Sequence, residues 1–426
     1  MADGTSTAHI LEPKIIAVIR NGYNKSMLRH DILAGLTVAI VALPLSMAIA
    51  VASGVAPERG LFTAIIGGFI VSVLSGSRFQ IGGPAGAFIV LVASAVAEHG
   101  IGGLLTAVLL SGVLLTLLGI FRIGSLVRHI PHAVTIGFTA GIAAVIAVSQ
   151  IKDLTGIKLS VPEPAAVIPK IQVLALNFSS ANGAALAIGI LTILIIALLK
   201  RYRPSWPGML AAVVIGSALT ALMHLPIETI ASRFGGIPRM LPSPELPALS
   251  WESIVAVLPV TLSFTLLGAI ESLLSAKVAD SMTGRKHRSN MELIGQGLAN
   301  VASACFGGIN VTGTIARTAT NIRAGGKTPV SGMLHALFLL GFMFVAAPLA
   351  GYIPLAALAG VLLMVCWTMT EKKEIRDLLK RWPTALVLLV TFGATLLKDL
   401  TLGIILGCCV AAVLSFLRRP VSEEGS

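Results

Sequence analysis

Charge is scarce in this chain. Asp, Glu, Lys and Arg together make up 12% of its 426 residues, and only 19 of them are acidic, against roughly 25% charged residues in ordinary soluble proteins. A soluble domain is excluded. Cysteine is scarcer still: Cys305, Cys366, Cys408 and Cys409 all fall in apolar segments without metal-ligand spacing. That excludes a disulfide framework and a zinc site, and the four read as buried, inert thiols. Histidine inside apolar runs is limited to His335, with His132 at the edge of another. The paired nucleophile and base of an intramembrane hydrolase are therefore missing, and no enzyme, cofactor or metal is expected. Residues 1–30 lack both the contiguous apolar core and the small-residue cleavage site of a signal peptide, so they read as a cytoplasmic segment.

What remains is apolar. The chain is 55% hydrophobic with a mean hydropathy of +0.92, and it carries 43 glycines and 21 prolines, both commoner in membrane helices than in soluble ones. About fourteen apolar segments can be counted, several too short to cross a bilayer core as one continuous helix. The first seven are expected at 32–53, 60–76, 85–97, 101–121, 131–150, 183–200 and 207–224. The second seven are expected at 253–280, 290–306, 314–322, 328–350, 353–369, 383–398 and 400–417. The net charge of +12 invites a nucleic-acid partner, but the basic residues sit between segments and report topology instead. With a cytoplasmic N-terminus and alternate crossings, only Arg59, Lys152, Lys158, Lys170, Arg233, Arg239 and Lys398 lie outside. Every other Lys and Arg except the intramembrane Arg317 lies inside, including Arg128, Arg418 and Arg419. The expected organisation is an all-α polytopic membrane protein in the inner (plasma) membrane with both termini cytoplasmic.

The halves echo one another, as they do in many secondary transporters. Ile130-Pro131-His132-Ala133 running to Gly137 matches Ile353-Pro354-Leu355-Ala356 running to Gly360, and Gly83-Pro84-Ala85-Gly86-Ala87 falls opposite Val311 to Ala316. Seven segments per copy is odd, so the second copy must be inverted. Segments three and ten are short and Gly/Pro-interrupted, the sequence pattern of half-helices that begin near the bilayer midplane. Their free N–H groups and positive dipole ends select anions. Ala85, Gly86, Ala87 and Phe88 on one side, and Thr314, Ile315, Ala316 and Arg317 on the other, are the candidate binding residues, Arg317 adding a full positive charge. Glu271 is the other charge deep in an apolar run, and Ser275, four residues on, shares its helix face. An intramembrane carboxylate marks a proton pathway or pairs with a cation. Glu271 is thus either a residue that loads and releases a proton or a fixed counter-ion to Arg317. Asp280 and Glu292 lie near segment ends and read as solvated carboxylates.

At these residues the chain resembles the sulfate permease (SulP) family over essentially its whole length. Ala34-Gly35-Leu36-Thr37 running into Ala42-Leu43-Pro44, Gly82-Gly83-Pro84 and Ala269 to Leu274 carry the likeness. So do Ser289-Asn290 with Glu292 to Asn300, Phe306-Gly307-Gly308 and Gly325-Gly326-Lys327-Thr328. The resemblance implies a seven-plus-seven inverted repeat. Residues 31–124 and 251–350 would form a transport core, residues 125–250 and 351–417 a gate, and residues 418–426 a cytoplasmic tail. It implies an anion held between segments 1, 3, 8 and 10 and carried by elevator-like alternation, Glu271 as the coupling residue, and a homodimer. Most members continue into a STAS domain, whereas this sequence stops at Ser426. Leu45 stands where many relatives have Gln, and Ile49 and Ala85 where some have an aromatic residue, so the identity of the anion stays open. Bicarbonate-type relatives resemble sodium-coupled systems with Asp at the Glu271 position and no Arg at the Arg317 position. Glu with Arg resembles the proton-coupled bacterial branch of sulfate and dicarboxylate carriers. An anion exchanger, an anion channel and a nucleobase permease of the same fold are the alternatives, the last usually carrying a second carboxylate in the segment-ten region.

Overall fold

A computed structural model of the chain describes residues 11–124, 131–159, 163, 164, 166–204, 206–397 and 400–417. Ile130, Arg128, Lys398, Arg418, Arg419, the first ten residues and the tail 418–426 lie outside the described residues.

The first half comprises α1 (Lys14–Arg20), α2 (Lys25–Ala52), α3 (Pro57–Phe62), α4 (Gly68–Leu74), β1 (Gly82–Gly83), α5 (Ile89–Ile120), α6 (His132–Ser149), α7 (Ile151–Thr155), α8 (Val167–Leu176), α9 (Gly183–Tyr202), α10 (Gly208–Leu222) and α11 (Ile230–Phe234). The second comprises α12 (Trp251–Thr283), α13 (Ser289–Cys305), β2 (Thr312–Gly313), α14 (Ile315–Arg323), α15 (Val330–Ala350), α16 (Leu355–Met369), α17 (Lys372–Leu379), α18 (Trp382–Leu397) and α19 (Leu400–Leu417). A π-helical turn, Thr63–Gly67, joins α3 to α4. Every expected segment has a helical counterpart. Segments three and four share α5, which breaks at Gly100 (φ 67°), and segment one starts earlier than expected because Asn24 caps Met27 N at 2.9 Å. Short helices α7, α8, α11 and α17 occupy connections that read as loops. Among the described residues eight helices are long and apolar enough to cross a membrane. The fold is that of an all-α polytopic membrane protein.

Packing follows an exchange of the halves. Helix α2 packs on α15 while α12 packs on α5; α4 packs on α15 while α13 packs on α5; α6 packs on α18 while α16 packs on α9. Counterparts also share local structure: α2 and α12 each enclose a proline, Pro44 and Pro259. The two I-P-x-A echoes place Pro131 and Pro354 in extended conformation at the starts of α6 and α16. Helix α5 approaches α13 closely. A Cβ on Gly112 would lie 2.6 Å from the Gly297 carbonyl oxygen, and one on Gly297 2.5 Å from that of Gly112, so only glycine permits it.

Charged side chains gather in separate clusters. Lys152 and Lys170 flank Glu163 at 3.6 and 2.9 Å, and Arg233 pairs with Asp153 at 2.9 Å and with Glu228. All three cations are among those expected outside. Residues expected inside form another group, in which Glu12 bridges Arg20 and Arg288. Burial, with the nearby Arg288 and Arg78 guanidinium groups, holds the Lys14 ammonium in this group below the usual lysine range. The thiols differ from expectation: only Cys366 is buried, Cys305 and Cys408 are half-buried, and Cys409 is exposed.

Two carboxylates near segment ends, Asp31 and Glu292, are wholly buried. Asp31, at the start of the first span, accepts Lys327 N (2.7 Å), Thr328 N (3.1 Å), Thr328 Oγ1 (2.6 Å) and Tyr23 OH (3.1 Å). It therefore clasps the Gly325-Gly326-Lys327-Thr328 turn that opens α15. Replacing Asp31 with Ala strands these donors and should cost about 3 kcal/mol, read as a fall of several degrees in melting temperature of the detergent-solubilised protein. An unchanged melting temperature would show the clasp to be dispensable.

Candidate functional site

Neither segment three nor segment ten starts as a helix at the membrane face. Each enters as an extended arm, and the arms pair antiparallel, Gly82 opposite Gly313 and Gly83 opposite Thr312. The positions aligned by the internal echo are thus hydrogen-bonded to one another. At membrane depth the rest of each arm needs partners for its backbone, and helix side chains supply them. Asn300 exchanges two bonds with Val311, accepting its N–H at 2.9 Å and donating to its carbonyl at 2.8 Å. Thr63 Oγ1 accepts Ile309 N at 2.7 Å, and Arg59 donates to the Gly307 carbonyl at 2.6 Å. On the other arm Thr318 Oγ1 accepts Ile81 N at 3.1 Å and Asn321 donates to the Phe79 carbonyl at 2.9 Å.

Where the arms end, helix begins. Ala85 is extended and Gly86–Phe88 form one 3₁₀ turn before α5; Thr314 is extended before α14. No side-chain oxygen caps either start, and the Thr314 hydroxyl is turned back to the Ile81 carbonyl at 3.2 Å. Ala85, Ala87 and Phe88 are buried, Gly86 is half-buried, and Ile315 and Ala316 are exposed. A side chain at Gly86 would lie 3.6 Å from Ile146 Cδ1 and 3.7 Å from Met369 Sδ, so this turn faces α6 and the end of α16.

Arg317, in the first turn of α14, is 1% exposed. Its Nη2 donates to Ser46 Oγ of α2 at 3.1 Å and to the Pro84 carbonyl at 3.3 Å, reaching across to the other arm. Nη1 and Nε have no hydrogen-bond partner among the described residues. The guanidinium lies against Gly83, where a Cβ would come within 2.1 Å of Nη1. Glu271 does not neutralise it: the two side chains form no ion pair, so the counter-ion reading is overturned. A buried guanidinium with unspent donors beside two uncapped helix starts has the chemistry to accept an anion.

Glu271 lies on the α12 stripe that also carries Phe264, Gly268 and Ser275. Phe264 packs on Phe88 with ring centroids 5.9 Å apart, and a Cβ on Gly268 would lie 3.8 Å from Phe88. Ser275 donates to Thr318 Oγ1 at 3.3 Å, not to Glu271. Glu271, on the same stripe between Gly268 and Ser275, is half-buried and has no hydrogen-bonded or ion-pair partner among the described residues.

Sequence reasoning missed the support. Glu292 is fully buried, not solvated, because its carboxylate serves the arm: Oε1 accepts from Gln80 at 2.8 Å and from Gln296 at 3.1 Å, and Gln80 also donates to the Ser272 carbonyl at 3.0 Å. Ser272 Oγ meets Thr312 Oγ1 at 2.9 Å and accepts Gly313 N at 3.3 Å. The signal was present in the four-residue spacing of Glu292, Gln296 and Asn300, a polar stripe down an otherwise apolar helix.

Comparison with known proteins finds relatives along nearly the whole chain. Residues 28–391 match the sulfate permease family. A putative sulfate transporter, YvdB of Bacillus subtilis, is 41% identical over 401 residues, covering 93% of this chain and 75% of the relative. The bicarbonate transporter BicA of Picosynechococcus is 31% identical over 411 residues, covering 94% and 72%. Among solved structures, the transmembrane domain of a cyanobacterial bicarbonate transporter BicA superposes with a TM-score of 0.78 at 29% identity, covering 92% of this chain and 98% of that one. SLC26A9 shares the fold with a TM-score of 0.87 at 17% identity, covering 97% and 69%.

The Arg317 site makes a paired prediction. Arg317→Ala removes the charge, and Gly83→Ala displaces the guanidinium without removing it. Both should weaken oxyanion binding about 10- to 100-fold, the worth of charge-assisted hydrogen bonds, with the melting temperature of Arg317→Ala retained. Titration calorimetry with sulfate checks this, and an unchanged Kd in Arg317→Ala removes Arg317 from the site.

Proposed function

The chain belongs to the sulfate permease family, and from that premise we propose that it is a proton-coupled secondary transporter of small oxyanions, sulfate or a dicarboxylate. One observation carries the reading: the buried Arg317 guanidinium, with Nη1 and Nε unbonded, between two uncapped half-helix starts. The anion sits there, taking the N–H groups of Gly86 and Ala87 and of Ile315 to Arg317, and replaces water that the fully charged Arg317 otherwise needs.

Glu271 is the coupling residue. It has no cation and no hydrogen-bond donor among its described neighbours, so nothing holds its charge fixed. A proton taken there moves with the substrate and neutralises part of the charge that crosses the membrane. Residues 31–124 and 251–350 carry the loaded site as a core, sliding against a gate of residues 125–250 and 351–417 in an elevator-like alternation. The contact of the segment-three turn with Ile146 and Met369 is where that sliding surface lies. The protein works as a homodimer in the inner membrane, with cytoplasmic termini. Exchange of bicarbonate is the second reading, favoured by the likeness to relatives named for bicarbonate transport.

Uptake of labelled sulfate, succinate and bicarbonate into proteoliposomes, with and without an inward proton gradient, tests the proposal. Saturable uptake of sulfate or succinate, stimulated by external acid, is expected. Glu271→Gln should abolish the acid stimulation while sparing anion exchange; acid stimulation of normal size in that variant removes Glu271 from coupling. Flux that rises linearly with driving force without saturating would identify a channel.

A further inference from the structure

Apart from the anion cradle, the molecule has a cavity of about 800 Å³ bounded by α6, α9, α16, α17 and α18. The alanines Ala140, Ala143, Ala144 and Ala147 line it at spacings of three and four residues, so a whole face of α6 stops at Cβ and leaves the volume open. The lining is almost entirely apolar, which excludes a hydrated oxyanion. Its size suits one flexible hydrocarbon group.

One end of this cavity is basic. Helix α17 contributes Ile375 and Leu379 to the lining and exposes Lys372, Lys373 and Arg376. It is tied to the start of α6 by His132 on Glu374 at 3.2 Å. Helix α9 ends one turn beyond the lining Ala197 with exposed Lys200 and Arg201. The acids nearby are partly spent: Glu374 on His132, and Asp377 on Lys380 at 2.6 Å. Among the described residues Lys373, Arg376 and Lys200 have no ion-pair partner. Trp367 lines the cavity, is 64% exposed and lies under the Lys372 ammonium, the combination of indole and lysine found at membrane–water interfaces.

We propose that this cavity binds an anionic phospholipid, one acyl chain against the alanine face of α6 and the headgroup on Lys372, Lys373 and Arg376. Apolar walls select the chain, and unpaired cations select the charge. A second copy of this chain fits worse, since it would have to bury Lys373 and Arg376 without partners. Because the cavity is framed by α6 and α16 on one side and α18 on the other, its occupant props helices that pack together across the two halves.

Native mass spectrometry of the full chain, delipidated and then offered phosphatidylglycerol or phosphatidylcholine of the same acyl composition, tests this. Retention of phosphatidylglycerol at least tenfold above phosphatidylcholine is expected. The triple variant K372Q/K373Q/R376Q should lose the preference but keep weak retention of both lipids. Ala144→Phe, which fills the cavity, should lose both, at an unchanged melting temperature. If Ala144→Phe does not fold, Ala143→Leu replaces it. Equal retention of the two lipids by the parent protein overturns the proposal, as does undiminished phosphatidylglycerol retention in the folded variants. Efficient cross-linking of Ile193→Cys between two copies would also overturn it, by placing a second chain on this face.

Discussion

The constraint on which everything else rests is one guanidinium kept from water without a counter-charge. A buried unpaired ion costs several kcal/mol even after relaxation, and Arg317 satisfies only one of its three nitrogens with protein acceptors. A fold tolerates that only where the charge has a use. The surrounding features are those that use demands: two helix starts without caps, a glycine against the guanidinium in place of a side chain, and a serine of α2 to orient one edge. Each adds positive potential or leaves space, and none supplies a negative charge.

Holding such a cradle in place needs a rigid frame, and extended backbone at membrane depth is a poor one by itself. The frame is instead a lattice of short polar side chains: Thr63, Asn300 and Ser272 on one arm, and Thr318, Asn321 and Gln80 on the other. Most are buried in helices that otherwise read as apolar. Glu292 belongs to this lattice, its carboxylate accepting from the amides of Gln80 and Gln296. Two carboxylates in apolar segments thus have opposite surroundings, Glu292 clamped by amides and Glu271 without a hydrogen-bonded or ion-pair partner among the described residues.

The sequence made the helices legible because their signal is long and periodic, and the half-helices legible because Gly and Pro interrupt them at matched places. Arg317 and Glu271 stood out as charges in apolar runs. Their relation did not, because whether two such charges meet depends on the angle between α12 and α14, which no local pattern encodes. The i, i+4 spacing placed Ser275 on the Glu271 face but said nothing of its partner, Thr318, which lies 43 positions along the chain. Glu292 was misjudged for the same reason. Nearness to a segment end predicts solvent, whereas an arm folded back from the other half buries it.

The two-residue ladder between Gly82–Gly83 and Thr312–Gly313 has a consequence for biogenesis. The first arm is synthesised and inserted some 230 residues before the strand that completes its hydrogen bonds. Until then its backbone groups at membrane depth have no lasting partner, a state tolerated only near water or a protein surface. The N-terminal half is therefore an unfinished object when it leaves the ribosome, and the two inverted copies must close on each other as a late, cooperative event. A lipid-embedded half-molecule is an intermediate for the membrane's quality control to hold, and the completed ladder is the sign by which the finished protein differs from it.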